Sequence, residues 1–303
     1  MVKRFAAELG FDACGIAAAG PPDPEDRLGD WLRRGFHADM AWMERTQALR
    51  QDILQWLPGA RSVVVVARNY YYPAAEPGPG AGQVARYARG RDYHRVLLKP
   101  LRRLAAFIDT LEPDAASKTC IDSGPVLERA WAARAGVGWI GKNSLVLRRD
   151  LGSWFFLGVI ATTVTLPPDA SMPNYCGSCT ACMDACPTHA IVEPGVVDSR
   201  RCISYHTIEN RGEIPREIQT AMGHWVFGCD LCQEVCPWNS KVQPSTEADF
   251  RPRPEVMPLD LAEMSAMDEA AFTQRFRGTA IMRAKWAGMR RNAGIALGQV
   301  LVE

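Results

Sequence analysis

Eight of the ten cysteines in this 303-residue chain fall between Cys176 and Cys236. They form two runs. The first is Cys176-x2-Cys179-x2-Cys182-x3-Cys186-Pro187, and the second is Cys229-x2-Cys232-x3-Cys236-Pro237, with Cys202 between them. Thiolates are soft ligands that suit iron–sulfur clusters and zinc. A C-x2-C-x2-C-x3-C-P run is the pattern of two-cluster bacterial ferredoxins, in which the cysteine before the proline serves the other cluster. That rule assigns Cys176, Cys179, Cys182 and Cys236 to one [4Fe–4S] cluster, and Cys186, Cys202, Cys229 and Cys232 to a second. Two structural zinc sites are the competing reading, but zinc sites usually join separate C-x2-4-C pairs. A disulfide framework is disfavoured because no apolar signal segment follows the basic N-terminus, so a cytoplasmic chain with reduced thiols is expected. Cys14 and Cys120 stand apart and read as inert buried thiols. Clusters pass single electrons, and the remaining residues must use them.

One carboxylate outside that segment stands out. Asp122 sits in Cys120-Ile121-Asp122-Ser123-Gly124-Pro125, between an expected strand and an expected helix. It reads either as a helix cap or turn aspartate or as a catalytic group at a strand end. Gly136-x-Gly138-x-x-Gly141-Lys142 looks like a dinucleotide fingerprint. That motif needs a strand before it and a helix after it. Here a helix precedes and none follows, so a nicotinamide site is rejected, and the glycines are expected to admit another cofactor closely. The five histidines show no metal-binding spacing and read as surface or core residues. A net charge of +1 gives no global reason to expect a polyanion partner, yet Arg86–Arg103 holds seven Lys/Arg and Arg275–Arg291 holds six. Aromatic residues lie among them, so each reads as an RNA-binding face or as a solvated helix face.

Elements must hold these groups. Residues 1–60 read as helical, including Met40 to Arg50, and Ser62 to Ala67 as a β-branched strand. Pro73 to Gly82 reads as a loop. Tyr93 to Leu111 reads as an amphipathic helix kinked or divided at Pro100. Lys118 to Ile121 and Ser153 to Thr165 read as strands, and Pro125 as the opening of a helix. Pro167-Pro168 marks a boundary and Pro244 to Pro258 a linker. The division expected is therefore 1–166, 167–243 and 244–303. The last stretch is helical and ends in an amphipathic helix with no partner after it, as at the start of a repeat array. The longest strongly apolar stretch, Ser153 to Leu166, is too short for a membrane span of roughly 20 residues. A monomer is expected, since no coiled coil or repeat stack is visible.

Taken together, Asp122-Ser123-Gly124-Pro125-Val126-x-Glu128-Arg129, Ala135-Gly136-x-Gly138-Trp139-Ile140-Gly141-Lys142-Asn143, Cys176-Gly177-Ser178-Cys179, Arg201-Cys202-Ile203-Ser204-Tyr205 and Gly228-Cys229-Asp230-x-Cys232-Gln233-x-x-Cys236-Pro237-Trp238-Asn239 resemble the epoxyqueuosine reductase family over nearly the whole chain. The resemblance implies an α+β protein: a nitroreductase-like cobalamin-binding domain, a two-cluster ferredoxin-like domain and a short C-terminal segment of truncated HEAT-like helices. It implies base-off cobalamin without a protein ligand, two [4Fe–4S] clusters, an external low-potential electron donor, and tRNA whose wobble epoxyqueuosine is reduced to queuosine. A reductive dehalogenase-like enzyme and a pure electron-transfer module are the alternatives. Asp122 takes the role of proton donor, with burial beside the corrin expected to raise its pKa. Arg50, Lys142, Asn143, Val146, Ser153, Leu157, Ser204, Asp230 and Gln233 lie in segments resembling the corrin-contacting parts. The family usually carries more sequence at both ends than this chain does.

Overall fold

The run Ser-Val-Val-Val-Val-Ala from Ser62 organises the molecule. Successive strand side chains point to opposite faces. Val64 and Val66 enter one buried cluster, while Val63, Val65 and Ala67 enter another. A strand apolar on both faces needs cover on both. It has that cover in the computed structural model, which describes residues 1–73, 78 and 80–300.

The strands in chain order are β1 (Ala13–Ala18), β2 (Ser62–Asn69), β3 (Ala81–Val84), β4 (Ser117–Cys120), β5 (Trp139–Ile140), β6 (Val146–Leu147), β7 (Phe155–Thr162), β8 (Ile191–Glu193), β9 (Val196–Val197), β10 (Trp225–Phe227) and β11 (Leu259–Asp260). The main sheet has order β1-β2-β7-β4 and every pairing is antiparallel. Helices Val2–Glu8 and Tyr93–Asp109 cover one face, and Glu128–Arg134, through Trp131 and Ala132, covers the other.

The helix Tyr93–Asp109 matters most for the site. Asp92 caps it by accepting from the His94 N–H. Leu97, Leu101, Leu104 and Ile108 form its buried stripe, and Arg95, Lys99, Arg102 and Arg103 face solvent. The expected division at Pro100 does not occur. Apolar residues on both sides of Pro100 pack on the same sheet face, and that burial outweighs the missing backbone hydrogen bond.

Other expectations are corrected. Ala13–Ala18 is a strand within the stretch read as helical, because its residues pair with Ser62–Ala67 of β2. Met40 to Arg50 contains two short helices, Trp42–Arg45 and Gln47–Gln51, rather than one. The helix after Pro125 begins only at Glu128. Much of the loop read over residues 73–82 lies outside the described residues.

A second sheet ties distant segments together. β3 pairs in parallel with β10 and antiparallel with β11. Val84, Phe227, Leu259, Phe276 and Met289 share one buried cluster behind it. The final helix Lys285–Val300 is therefore not unpartnered. Asn292, wholly buried on it, donates to the carbonyls of Thr207 and Val226 at 2.9 and 2.8 Å. Among the described residues no helix is long and apolar enough to cross a membrane.

Candidate active site and cluster segment

Short helices present the thiols. Ala181–Asp184 lies within one run and Leu231–Glu234 within the other, and all ten cysteines are free thiols. Their electrostatic neighbours sort them. Burial raises Cys182, and charge on Cys236, Cys176 and Cys179 raises it further. Burial likewise raises Cys229, with Cys202 and Cys186 as its thiol neighbours. Cys232 feels Cys229 and Cys202 most strongly after burial, and Cys182 more weakly. Cys182 thus neighbours Cys176, Cys179 and Cys236, and Cys229 neighbours Cys186 and Cys202.

The β5–β6 hairpin braces the first set. Lys142 Nζ donates to the carbonyls of Gly177 and Cys179 at 2.8 and 2.9 Å. Asn143 Nδ2 reaches the Cys232 carbonyl at 3.3 Å. The glycines of this segment do not make room for a cofactor as expected. A Cβ on Gly138 would strike the Leu147 carbonyl, and one on Gly136 the Ala170 carbonyl; the close approach is to the chain's own backbone. Trp139 is 2% exposed, and its indole N–H has no hydrogen-bond partner in the protein. Its ring meets Tyr175 and Trp238 at 5.1 and 5.2 Å, the residues flanking Cys176 and Pro237. An orphaned buried donor beside these thiols fits a cluster, whose sulfurs accept hydrogen bonds.

Asp122 lies in the turn after β4 with φ of +55°, a left-handed conformation that aspartate tolerates better than most residues. It does not cap the next helix, which starts after Leu127. Its side chain is 67% exposed, so the expected burial is not supplied by the protein itself. Tyr93 donates its hydroxyl to Asp122 Oδ2 at 2.5 Å, and His94 Nε2 stands 3.7 Å from the same oxygen. Burial, then the charge of Asp122, pushes Tyr93 far up, so it stays a neutral donor. Burial pulls His94 down, but its hydrogen bond to Asp92 and the charges of Asp92 and Asp122 more than reverse this and leave it raised. Neither residue was singled out as functional in the sequence. The available signal was Asp-Tyr-His at the mouth of a strongly amphipathic helix.

Behind Asp122 the wall is aromatic. Tyr93 stacks on Phe156 at 4.3 Å, and Tyr87 meets Tyr93 at 6.0 Å. Glu128 is pushed up to about 7, chiefly by burial and further by the charge of Asp122. It accepts from Cys120 Sγ at 3.4 Å. Burial also raises the Cys14 thiol to about 12 and Cys120 higher still, as expected of inert thiols. Arg129 is open to solvent, yet protein crowds its guanidinium enough to lower its pKa by desolvation. Asp122, Tyr93 and His94, with the aromatic wall behind them, form the Asp122 recess.

A buried polar network joins this recess to the second thiol set. Gln233 Oε1 accepts from Ser153 Oγ at 3.0 Å, and Gln233 Nε2 donates to Asp230 Oδ1 at 3.2 Å. Asp230 also accepts from the Arg86 N–H at 2.7 Å, and burial pushes it up to about 6. Tyr87 feels Asp122 first and Asp230 next, after burial. Arg50 is spent on Thr46 Oγ1 and the Val126 carbonyl at 2.9 and 3.1 Å. Val146 is buried on β6, Leu157 is half-buried on β7, and Ser204 lies on the helix Ile203–Ile208; none of the three joins the network. Carboxylate, amide, hydroxyl and guanidinium groups around an aromatic-walled recess fit the amide-rich rim and apolar face of a corrin.

The two basic segments divide once folded. Arg86 lies over the Tyr71 and Trp154 rings, Arg89 is buried on the Val84 carbonyl, Arg91 pairs with Asp249, and Arg291 holds backbone carbonyls. These serve structure. Arg95, Lys99, Arg102 and Arg103 instead line an open groove of about 380 Å³ on the outer face of their helix.

Residues 175–239 match the model of a 4Fe-4S double cluster binding domain, and residues 50–123 match the model described as epoxyqueuosine reductase QueG, DUF1730. The epoxyqueuosine reductase of Gloeobacter violaceus is 47% identical over 98% of this chain and 95% of its own length. That of Synechocystis sp. is 48% identical over 92% of this chain and 98% of its own. A crystal structure of epoxyqueuosine reductase with an epoxyqueuosine-modified tRNA-Tyr stem loop superposes with a TM-score of 0.90 at 31% identity, covering 99% of this chain and 80% of that one.

Proposed function

Because the chain belongs to the epoxyqueuosine reductase family, we propose that it reduces epoxyqueuosine to queuosine at the wobble position of tRNA, with Asp122 as the proton donor. The observation that carries this is the join between the two chemistries: Tyr93, which holds Asp122, meets the Tyr87 ring, and Tyr87 in turn meets Phe227, two residues before Cys229. When bound, cobalamin would supply reduction at the epoxide carbon that no side chain can provide, and two [4Fe–4S] clusters would deliver electrons one at a time. Cys176, Cys179, Cys182 and Cys236 would hold one cluster, and Cys186, Cys202, Cys229 and Cys232 the other. Asn143, Ser153, Asp230 and Gln233 would meet the corrin's polar rim, and Val146, Leu157 and Ser204 complete its surroundings. Arg50 and Lys142 would act indirectly, because their polar atoms already hold the protein's own groups.

Losing the epoxide oxygen as water consumes a pair of electrons and a pair of protons. The Asp122 carboxyl gives one proton to the leaving oxygen, solvent supplies the other, and Tyr93, still neutral, holds the resulting carboxylate in place. Substrate covering the exposed side chain would remove water from this step. tRNA and an external low-potential electron donor are the partners of this reading, for a monomer working in the cytoplasm. The cation row of the helix Tyr93–Asp109 supports a polyanion partner.

The test is anaerobic reconstitution with iron, sulfide and cobalamin, followed by reduction in the presence of epoxyqueuosine tRNA. Digested tRNA should show a nucleoside lighter by one oxygen. Protein carrying about eight iron and cobalamin, yet yielding no such product, would overturn the reading.

A further inference from the structure

We infer that Arg283 is a substrate-binding residue: seated on Trp42 and paired with Glu209 at the mouth of the Asp122 recess, it takes a backbone phosphate beside the nucleotide being reduced. This rests on the tRNA reading above.

Three distant parts of the chain converge on this side chain. Its guanidinium lies 5.3 Å from the centre of the Trp42 ring. Nε and Nη2 donate to the Glu209 carboxylate at 2.8 to 3.1 Å, which leaves Nη1 on the opposite edge of the fork. Arg211 fixes the backbone beneath by donating to the carbonyls of Arg283 and Ala284 at 2.8 and 3.1 Å. The next residue, Lys285, has φ of +61°, uncommon for a residue with a side chain.

The location follows from a backbone contact. The Asp92 N–H donates to the Gly278 carbonyl at 2.8 Å. That bond lays the segment leading to Arg283 against the start of the helix whose first residues, Tyr93 and His94, meet Asp122. The charges of Asp122 and Tyr93 act on Arg283 in turn.

Stability does not account for the arrangement. The Arg283 side chain is 55% exposed, and ion pairs that open to water contribute little. What the arrangement does achieve is a cation held at one angle, with Nη1 left out of the Glu209 pair. A guanidinium fork matches a phosphodiester in charge and in donor geometry. Trp42 and Glu209 are positioning residues that set the plane of that fork.

The test is binding of an epoxyqueuosine-bearing anticodon stem loop to the full chain, followed across a salt series. Arg283→Ala should weaken binding about tenfold and reduce the slope of log K against log salt by roughly 0.7 to 0.9, the loss of one phosphate contact. Arg283→Lys should keep the slope while losing several-fold in affinity, because charge remains and the fork does not. Unchanged affinity and slope in Arg283→Ala, with melting temperature unchanged, would overturn the inference. If Arg283→Ala does not fold, Arg283→Lys decides: affinity equal to the unaltered chain overturns the inference. Failure of the unaltered chain to bind or convert the modified RNA would instead overturn the functional reading.

Discussion

The thiol segment and the Asp122 recess are built on opposite plans. Within each thiol run the ligands are neighbours in sequence, and one turn of helix sets their spacing. Only Cys202 and the exchange of the Cys-Pro cysteines depend on longer reach. The recess has no such local unit. Asp122 comes from the turn after β4, Tyr93 and His94 from a helix start nearly thirty residues earlier, Glu128 from the helix beyond Pro125, and Arg283 from near the C-terminal helix. The thiols are specified by spacing and the recess by the sheet that gathers its walls. Damage to one should therefore read out differently from damage to the other.

The largest effect should come from breaking one thiol set. Cys182→Ser should lower iron from about eight to about four per chain and abolish turnover, whereas Cys120→Ser should leave iron unchanged. Iron and sulfide analysis checks both, and equal losses would erase the distinction between ligand and inert thiol. Asp122→Asn should do the reverse. It should keep iron and the bound-cobalamin absorbance while slowing tRNA reduction by roughly 10²–10⁴-fold, the usual worth of a general acid. Near-normal turnover would make Asp122 a backbone element of its turn.

That contrast also explains what could be read from the chain alone. The cysteine sets needed only spacing and one rule. The strand at Ser62 and the long helix at Tyr93 were legible because burial imposes a period on their residues. β1 was not, because Ala-Cys-Gly-Ile-Ala-Ala has weak strand character and takes its conformation from pairing with β2. Tyr93 and His94 were hidden for a similar reason: their role depends on a turn brought to them by the sheet. Charge counts failed at Arg86, Arg89 and Arg291, because formal charge does not reveal that a guanidinium is spent on buried carbonyls and rings.

A smaller effect should come from Tyr93→Phe. The ring can still stack on Phe156, and only the donor to Asp122 disappears. A hydrogen bond to a charged group is worth about 1.5–3 kcal/mol, so tRNA reduction should slow by roughly tenfold or somewhat more. Iron, cobalamin absorbance and melting temperature should not move. An unaltered rate would show that substrate, once bound, draws Asp122 away from Tyr93.

The smallest effect concerns stability, and it separates the two regions most cleanly. Glu128 titrates at about 7 when folded, against an ordinary 4.5, because burial and then the charge of Asp122 oppose its ionisation. Between those values the folded chain holds more protons than the unfolded one, so this group makes stability fall as pH rises. Its full contribution is present below about pH 4.5 and is lost above about pH 7. Glu128→Gln removes the titration, and the melting temperature should then vary less, by a few degrees, between about pH 4.5 and about pH 7. Asp122→Asn should shrink the same window from its upper end, since it removes the neighbouring negative charge. Cys182→Ser should leave the window where it is, because Cys182 is not among the groups acting on Glu128. A shift of the window by the thiol change, as large as that from Asp122→Asn, would show that the cluster segment and the recess are one electrostatic unit.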